Sequence, residues 1–140
     1  VARTVQVVVD CADPAALAEF WADALGYVLE PPPEGYGSWR EWLVAVGVPE
    51  HLWNSRSAVV DPDGAGPRLF FQQVPEEKAG KNRVHLDVRV GGRGPDARAL
   101  IGAEVARLER RGATRAWVVD EPNDHCVVMR DPEGNEFCVT

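Results

Sequence analysis

Cysteine is scarce in this 140-residue sequence. Cys11, Cys126 and Cys138 are an odd set with no Cys-x-x-Cys spacing, which excludes a disulfide framework and a zinc ribbon and reads as a reducing, cytoplasmic setting. Positive charge is also short: 15 Lys and Arg stand against 22 Asp and Glu, for a net charge of −7. A general nucleic-acid binder needs a positive field to displace counterions around phosphate, so no nucleic-acid partner is expected. The one basic cluster, Arg107, Arg110 and Arg111, ends a predicted helix, where cations offset the helix dipole. No stretch approaches the roughly 18–20 apolar residues that span a bilayer, and no charged-then-apolar opening segment of the secretory kind is seen. A membrane partner is therefore not expected either. What is present is 45% hydrophobic and 26% charged residues, enough apolar material for a packed interior and too much for a disordered chain.

Local signals divide the chain into short elements. Thr4 to Asp10 is rich in Val and reads as a buried strand. Asp13-Pro14 opens a helix, because Asp caps and Pro suits the first helical position. Leu17, Phe20, Trp21, Ala24 and Leu25 form its apolar face, and Gly26 closes it. Tyr27 to Leu29 reads as a second strand. Pro31 to Ser38 reads as a loop, and Trp39 to Val46 as a third strand from the alternation of Trp42, Val44 and Val46. The stretch 48–60 has no clear period. Asp61-Pro62-Asp63-Gly64 is a turn, and Arg68 to Val74 is the fourth strand. Pro75 to Asn82 looks like a linker. The same order then follows again. Arg83 to Val90 is a strand, a helix runs from Pro95 to about Arg111 and stops at Gly112, and strands cover Ala116–Val119, Cys126–Arg130 and Glu136–Thr140.

This internal repeat is the most informative feature of the sequence. Val5-Gln6-Val7 corresponds to Val84-His85-Leu86, and the Asp61-Pro62-Asp63-Gly64 turn corresponds to Asp131-Pro132-Glu133-Gly134. The predicted fold is α+β, a tandem pair of βαβββ modules at about 1–76 and about 82–140, with mixed, concave sheets and the helices outside. Clefts between packed modules are common ligand sites. Under the repeat Gln6 matches His85, and Gln72 matches Cys138. Each is polar within an apolar strand, and burying a polar group without a partner costs roughly 1–3 kcal/mol. Their convergence on one cleft is the expectation, with the choice between Gln72 and Gln73 resting on the repeat alone.

The two modules, the Asn82-Arg83-Val84-His85-Leu86-Asp87-Val88 strand and the closing Asp131-Pro132-Glu133-Gly134-Asn135-Glu136-Phe137-Cys138-Val139 resemble the glyoxalase/bleomycin-resistance/extradiol-dioxygenase superfamily, the vicinal oxygen chelate proteins. The nearest likeness is to its glyoxalase-like branch, over nearly the whole chain. The resemblance implies that metal-using members draw ligands from the positions of Gln6, Gln72, His85 and Cys138. Here Gln72 and Cys138 stand where glyoxalases carry carboxylates. A hard divalent site wants anionic oxygen, and Gln-Gln-His-Cys is not a common metal set. Bleomycin-resistance relatives use the same cleft without metal to bind a ligand.

Three readings follow. The leading one is a small-molecule-binding protein of the glyoxalase-like branch without a firmly bound catalytic metal. The alternative is a metal-dependent lyase, isomerase or dioxygenase-type enzyme with Zn, Ni, Mn or Fe on a divergent set around His85, its weak ligand candidates being Gln6, His85 and Cys138. The third is an interaction module whose cleft is filled by its own side chains. The resemblance also implies a homodimer. Pocket candidates are Gln6, Gln72, His85, Asp87, Cys138, Trp42 and His125. Each has a plainer reading. His85 pairs with Asp87 two residues along the same strand face, Cys138 is a small core hydrophobe, and Gln6 and Gln72 bond to each other or to water. His125 is a solvated loop residue. Trp42, with Trp39 and Trp53, forms an aromatic wall for a planar ligand or covers an edge, while Trp21 and Trp117 fill core or interface. Gly91-Gly92-Arg93-Gly94 before the second helix reads as a plain connecting loop.

Overall fold

Asp13 caps the first helix as its sequence position predicts: its Oδ1 accepts from the Ala16 amide at 3.2 Å, and the helix, α1, runs Pro14–Leu25. Gly26 ends it in the left-handed conformation, φ 68°. The computed structural model describes residues 1–140, which divide into two units, 1–77 and 78–140.

In the first unit, β1 (Val7–Cys11) runs parallel to β4 (Leu69–Gln73). β3 (Arg56–Val60) lies antiparallel to β4, and β2 (Val28–Leu29) edges the sheet, in the order β1-β4-β3-β2. Leu17, Phe20, Trp21 and Ala24 of α1 are buried together with Val59, Leu69 and Phe71 of the sheet. The opposite face carries Val8, Asp10, Phe70 and Gln72, which follows from the two-residue period of a strand.

The second unit repeats this topology. β5 (Asp87–Val88), α3 (Ala97–Arg110), β6 (Thr114–Glu121), β7 (Asp124–Arg130) and β8 (Glu136–Val139) give the sheet order β5-β8-β7-β6, with β5 and β8 parallel. Ile101, Val105 and Leu108 of α3 are buried, as are Val88, Val127, Met129, Phe137 and Val139 of the sheet. The α+β architecture of two four-stranded mixed sheets is thus the one the repeat predicts.

Several local expectations change. Trp39 to Val46 is a helix and not a strand: α2 spans Trp39–Ala45. Ser38 Oγ accepts from the Glu41 amide, and Glu41 Oε2 accepts from the Gly37 amide at 2.8 Å. This is the logic of a capping box, with both side chains satisfying free amides. Trp39 and Trp42, three residues apart, meet edge to face at 5.6 Å. The third strand of the module comes instead from the stretch without clear period, after one 3₁₀ turn at Glu50–Leu52. In the second unit the predicted strand at 83–90 contracts to Asp87–Val88, and β6 and β7 lengthen so that His125 lies within β7, not in a loop. No helix is long and apolar enough to cross a membrane.

Candidate functional site

Sheet register decides which polar side chains meet. Across the second unit's sheet, Trp117 lies opposite Val128, Val128 opposite Cys138, and Cys138 opposite Asp87. Directly opposed residues point to the same side, so these four form one row on the face away from α3. His85, two residues before Asp87, joins it: its Nε2 is 3.2 Å from Asp87 Oδ1. A ring nitrogen of His85, a carboxylate oxygen of Asp87 and the Cys138 sulfur all lie within 4.8 Å of one another. The imidazole and carboxylate are both over two-fifths exposed, while Cys138 is buried.

Cys126 is part of this cluster, although it is not among the pocket candidates the sequence suggests. It sits two residues from Val128, diagonal to Cys138 on the same face, so the two thiols are neighbours. Burial pushes the Cys138 thiol up to about 12, assisted by Cys126 and by the Asp87 charge. Burial also raises the Cys126 thiol, with the Asp124 charge adding to it. Desolvation and a neighbouring negative charge both disfavour a thiolate, so both cysteines are neutral hydrogen-bonding groups at pH 7.

The glutamines of the first unit go elsewhere. Gln6 precedes β1, and its Oε1 accepts from Arg68 Nη1 at 2.8 Å. Arg68 is itself held by Glu30, Nη2 to Oε2, at 2.6 Å. Gln72 Nε2 donates to Asp10 Oδ1 at 2.7 Å. Gln72 shares the helix-free face with Asp10, whereas Gln73 Nε2 reaches the Ala12 carbonyl, so Gln72 is the strand-face residue of the pair. The register places Asp10 opposite Gln72, just as Asp87 stands opposite Cys138. With Gln72 matched to Cys138, the residue equivalent to His85 is Val8; Gln6 lies two positions farther back. The expected match of Gln6 with His85 is thus out of register by one pleat.

These contacts test the metal set that the fold implies. Arg68 puts a positive charge on the very oxygen Gln6 would offer, which opposes a second cation there. Gln72 is neutral and engaged. The four positions together do not fit a hard divalent ion, which prefers anionic oxygen. His85, Asp87 and Cys138 remain as three donors within one unit.

The remaining candidates have contacts of their own. Trp42 is half-buried on α2 in the first unit, packed edge to face on Trp39, whose Nε1 donates to the Glu30 carbonyl at 2.7 Å. Trp53 donates to the Val48 carbonyl and lies under the Arg40 guanidinium. Trp21 is buried in the core, but Trp117 is 41% exposed, which places an aromatic surface at the end of the Asp87–Cys138–Val128 row. His125 Nδ1 accepts from Arg98 Nη1 at 3.2 Å. It borders a cleft of about 740 Å³ that also takes in Asp87.

The comparisons with known proteins agree with this topology. The model of the glyoxalase-like domain family matches residues 6–140. The chain belongs to that family. No curated protein sequence matches it. Among solved structures, a glyoxalase/bleomycin resistance protein/dioxygenase family enzyme from Burkholderia phytofirmans PsJN is 15% identical, with a TM-score of 0.66 over 99% of this chain and 97% of that one. The fosfomycin resistance protein FosX of Listeria monocytogenes, solved with Mn(II) and a dihydroxypropylphosphonic acid, is 8% identical, with a TM-score of 0.64 over 99% of this chain and 89% of that one. The bleomycin-binding protein of Streptomyces verticillus, bound to copper(II)-bleomycin, is 17% identical, with a TM-score of 0.55 over 100% and 96%. At these identities the likeness is one of fold, and function is argued from the site.

Proposed function

We propose that this glyoxalase-like protein binds a small organic molecule on the helix-free face of the second unit's sheet, over His85, Asp87, Cys138 and Trp117, without a catalytic metal. The observation that carries this reading is the engagement of Gln6 by Arg68 and of Gln72 by Asp10, which withdraws half of the implied metal set. What remains suits organic recognition. An exposed carboxylate and imidazole can fix a polar group, neutral thiols can donate or accept, and the Trp117 ring offers a flat apolar surface. Sites of this kind combine an apolar lining with a few placed polar groups.

The test is a small-molecule screen by thermal shift on protein stripped with EDTA, followed by the hits on His85→Ala and Asp87→Asn. Hits that bind the stripped protein and lose affinity in both variants support the reading. Binding that appears only after an ion is restored overturns it.

A metal-dependent lyase or isomerase is the second reading, favoured by the proximity of the His85, Asp87 and Cys138 donors within 4.8 Å. It predicts near-stoichiometric metal in untagged protein and a melt that falls in EDTA and recovers with one of Zn²⁺, Ni²⁺, Mn²⁺ or Fe²⁺. A ligand at about a hundred times its dissociation constant adds about 2.7 kcal/mol to stability, which is readily measured.

A further inference from the structure

The cleft of about 740 Å³ beside the cluster has walls of opposite charge. Arg89 and Arg93 line it on the β5–α3 side, and Glu121 and Asp124 line it on the β6–β7 hairpin. None of these four is paired with an opposite charge or held by a side-chain hydrogen bond. Elsewhere in the unit such groups close on each other, as Arg107 does on Glu104 and Arg115 on Glu109. Even within the cleft, Arg98 is neutralised by Asp120 and Asp87 is paired with His85. The charges without a side-chain contact are therefore two positive and two negative, on separate walls, and the Asp87 carboxylate, in contact with His85, adds a further negative charge to the cleft.

The basic wall is held by backbone. The Val90 and Gly91 amides both donate to the Thr140 carbonyl, at 2.7 and 3.2 Å. A Cβ on Gly91 would lie 2.9 Å from the Ala97 carbonyl oxygen and 3.1 Å from its Cα, so only glycine lets this loop press against the start of α3. The acidic wall is a hairpin whose strands pair through Glu121 and Asp124 themselves. Both walls are thus built on paired backbone, and the long side chains do not close the gap.

We propose that this cleft takes a small amphoteric molecule, with a carboxylate or phosphonate group toward Arg89 and Arg93 and a protonated amine toward Glu121 and Asp124. This deepens the proposed function and rests on it, since the cleft shares Asp87 with the cluster. Guanidinium groups match oxyanions in geometry as well as charge. A ligand with both charges completes both walls, whereas a plain anion leaves the acidic wall facing it and a plain cation leaves the arginines unserved.

Three related probes test it by amide chemical-shift titration: glycylglycine with both charges, N-acetylglycine with the carboxylate alone, and the smaller glycinamide with the ammonium alone. The protein is compared with an Arg89→Gln/Arg93→Gln variant and a Glu121→Gln/Asp124→Asn variant. The expected result is saturable binding of glycylglycine, with shifts in both walls, about tenfold tighter than either half-probe. That follows if one charge-assisted contact contributes about 1.5 kcal/mol. The arginine variant then binds glycylglycine and glycinamide alike, and the acidic variant binds glycylglycine and N-acetylglycine alike. Equal, non-saturable responses to all three probes, or binding unchanged in both variants, overturn the proposal. A screen hit that needs His85 and Asp87 but is indifferent to the arginine variant sinks this inference and leaves the proposed function standing. No hit of any kind at His85 and Asp87 sinks the latter.

Discussion

Asp87 and Cys138 stand directly opposite one another on the parallel strands β5 and β8, with the carboxylate beside a thiol that burial keeps protonated. A second thiol, Cys126, lies diagonal to Cys138 on the neighbouring strand. The pair has different chemistry from a reactive cysteine site, where a positive neighbour lowers the thiol.

Low thiol reactivity is the first consequence. With Cys138 raised from 9.0 to about 12, its thiolate fraction at pH 7 falls by about three orders of magnitude relative to an ordinary cysteine. Iodoacetamide labelling followed by mass spectrometry is expected to leave Cys138 unmodified under conditions that label free cysteine fully. Asp87→Asn removes one of the charges that raise it and is expected to speed labelling. Rapid modification of native Cys138 would contradict this.

Glu136 is expected to make the protein acid-sensitive. Its Oε2 accepts from the Asn82 amide at 3.0 Å and pairs with Lys78 Nζ at 3.1 Å, tying residues 78–82 to the start of β8. The Asn82 hydrogen bond is the main cause that holds this carboxyl at about 2, below its ordinary 4.5, with Lys78 assisting. A depressed carboxylate contributes stability that is fully present above the unfolded pKa and is lost as pH falls through the folded one. The window is therefore about pH 4.5 down to about pH 2. Glu136→Gln is expected to cost on the order of 2 kcal/mol at pH 7, less than the full shift implies because Lys78 is partly solvated. The difference should vanish near pH 2 in urea melts.

Gly91→Ala is expected to destabilise by about 1–3 kcal/mol, the usual cost of forcing atoms into a filled space. The added Cβ meets backbone of Ala97, which cannot rotate away. Amide exchange should quicken in the 89–98 loop. A stability unchanged from wild type would show that the loop rests less tightly on α3.

Ser38→Ala tests the helix that replaced a predicted strand. Loss of an N-cap hydroxyl costs about 1 kcal/mol, read as a lower urea midpoint with an unchanged slope. Were residues 39–45 extended in solution, the substitution would have no such effect.

Much of the architecture is legible from residue patterns. Asp13-Pro14 and Gly26 mark the ends of α1 because capping is local chemistry, and the two Asp-Pro turns mark the repeat. At Trp39–Val46 alternating large side chains imitate a strand, while the Ser38-x-x-Glu41 cap outweighs them and starts a helix. Cys126 was also within reach: counting outward from the Asp131–Asn135 turn pairs Arg130 with Glu136 and Val128 with Cys138, and so brings Cys126 to the same face. Parallel pairing offers no such count, since β1–β4 and β5–β8 are joined only by long connections. The offset of Gln6 from His85 is therefore set by the tertiary pairing of the parallel strands alone.

The amino-acid sequence by itself determined the two βαβββ modules, their helix ends and the fold family, since these depend on nearest neighbours, periodicity and a repeated turn. Only the tertiary structure decided that Gln6 belongs to Arg68, that Cys138 faces Asp87, and that Arg89 and Arg93 share a cleft with Glu121 and Asp124. Those contacts join residues far apart in the chain, and their register is set by the packing of whole sheets against their helices.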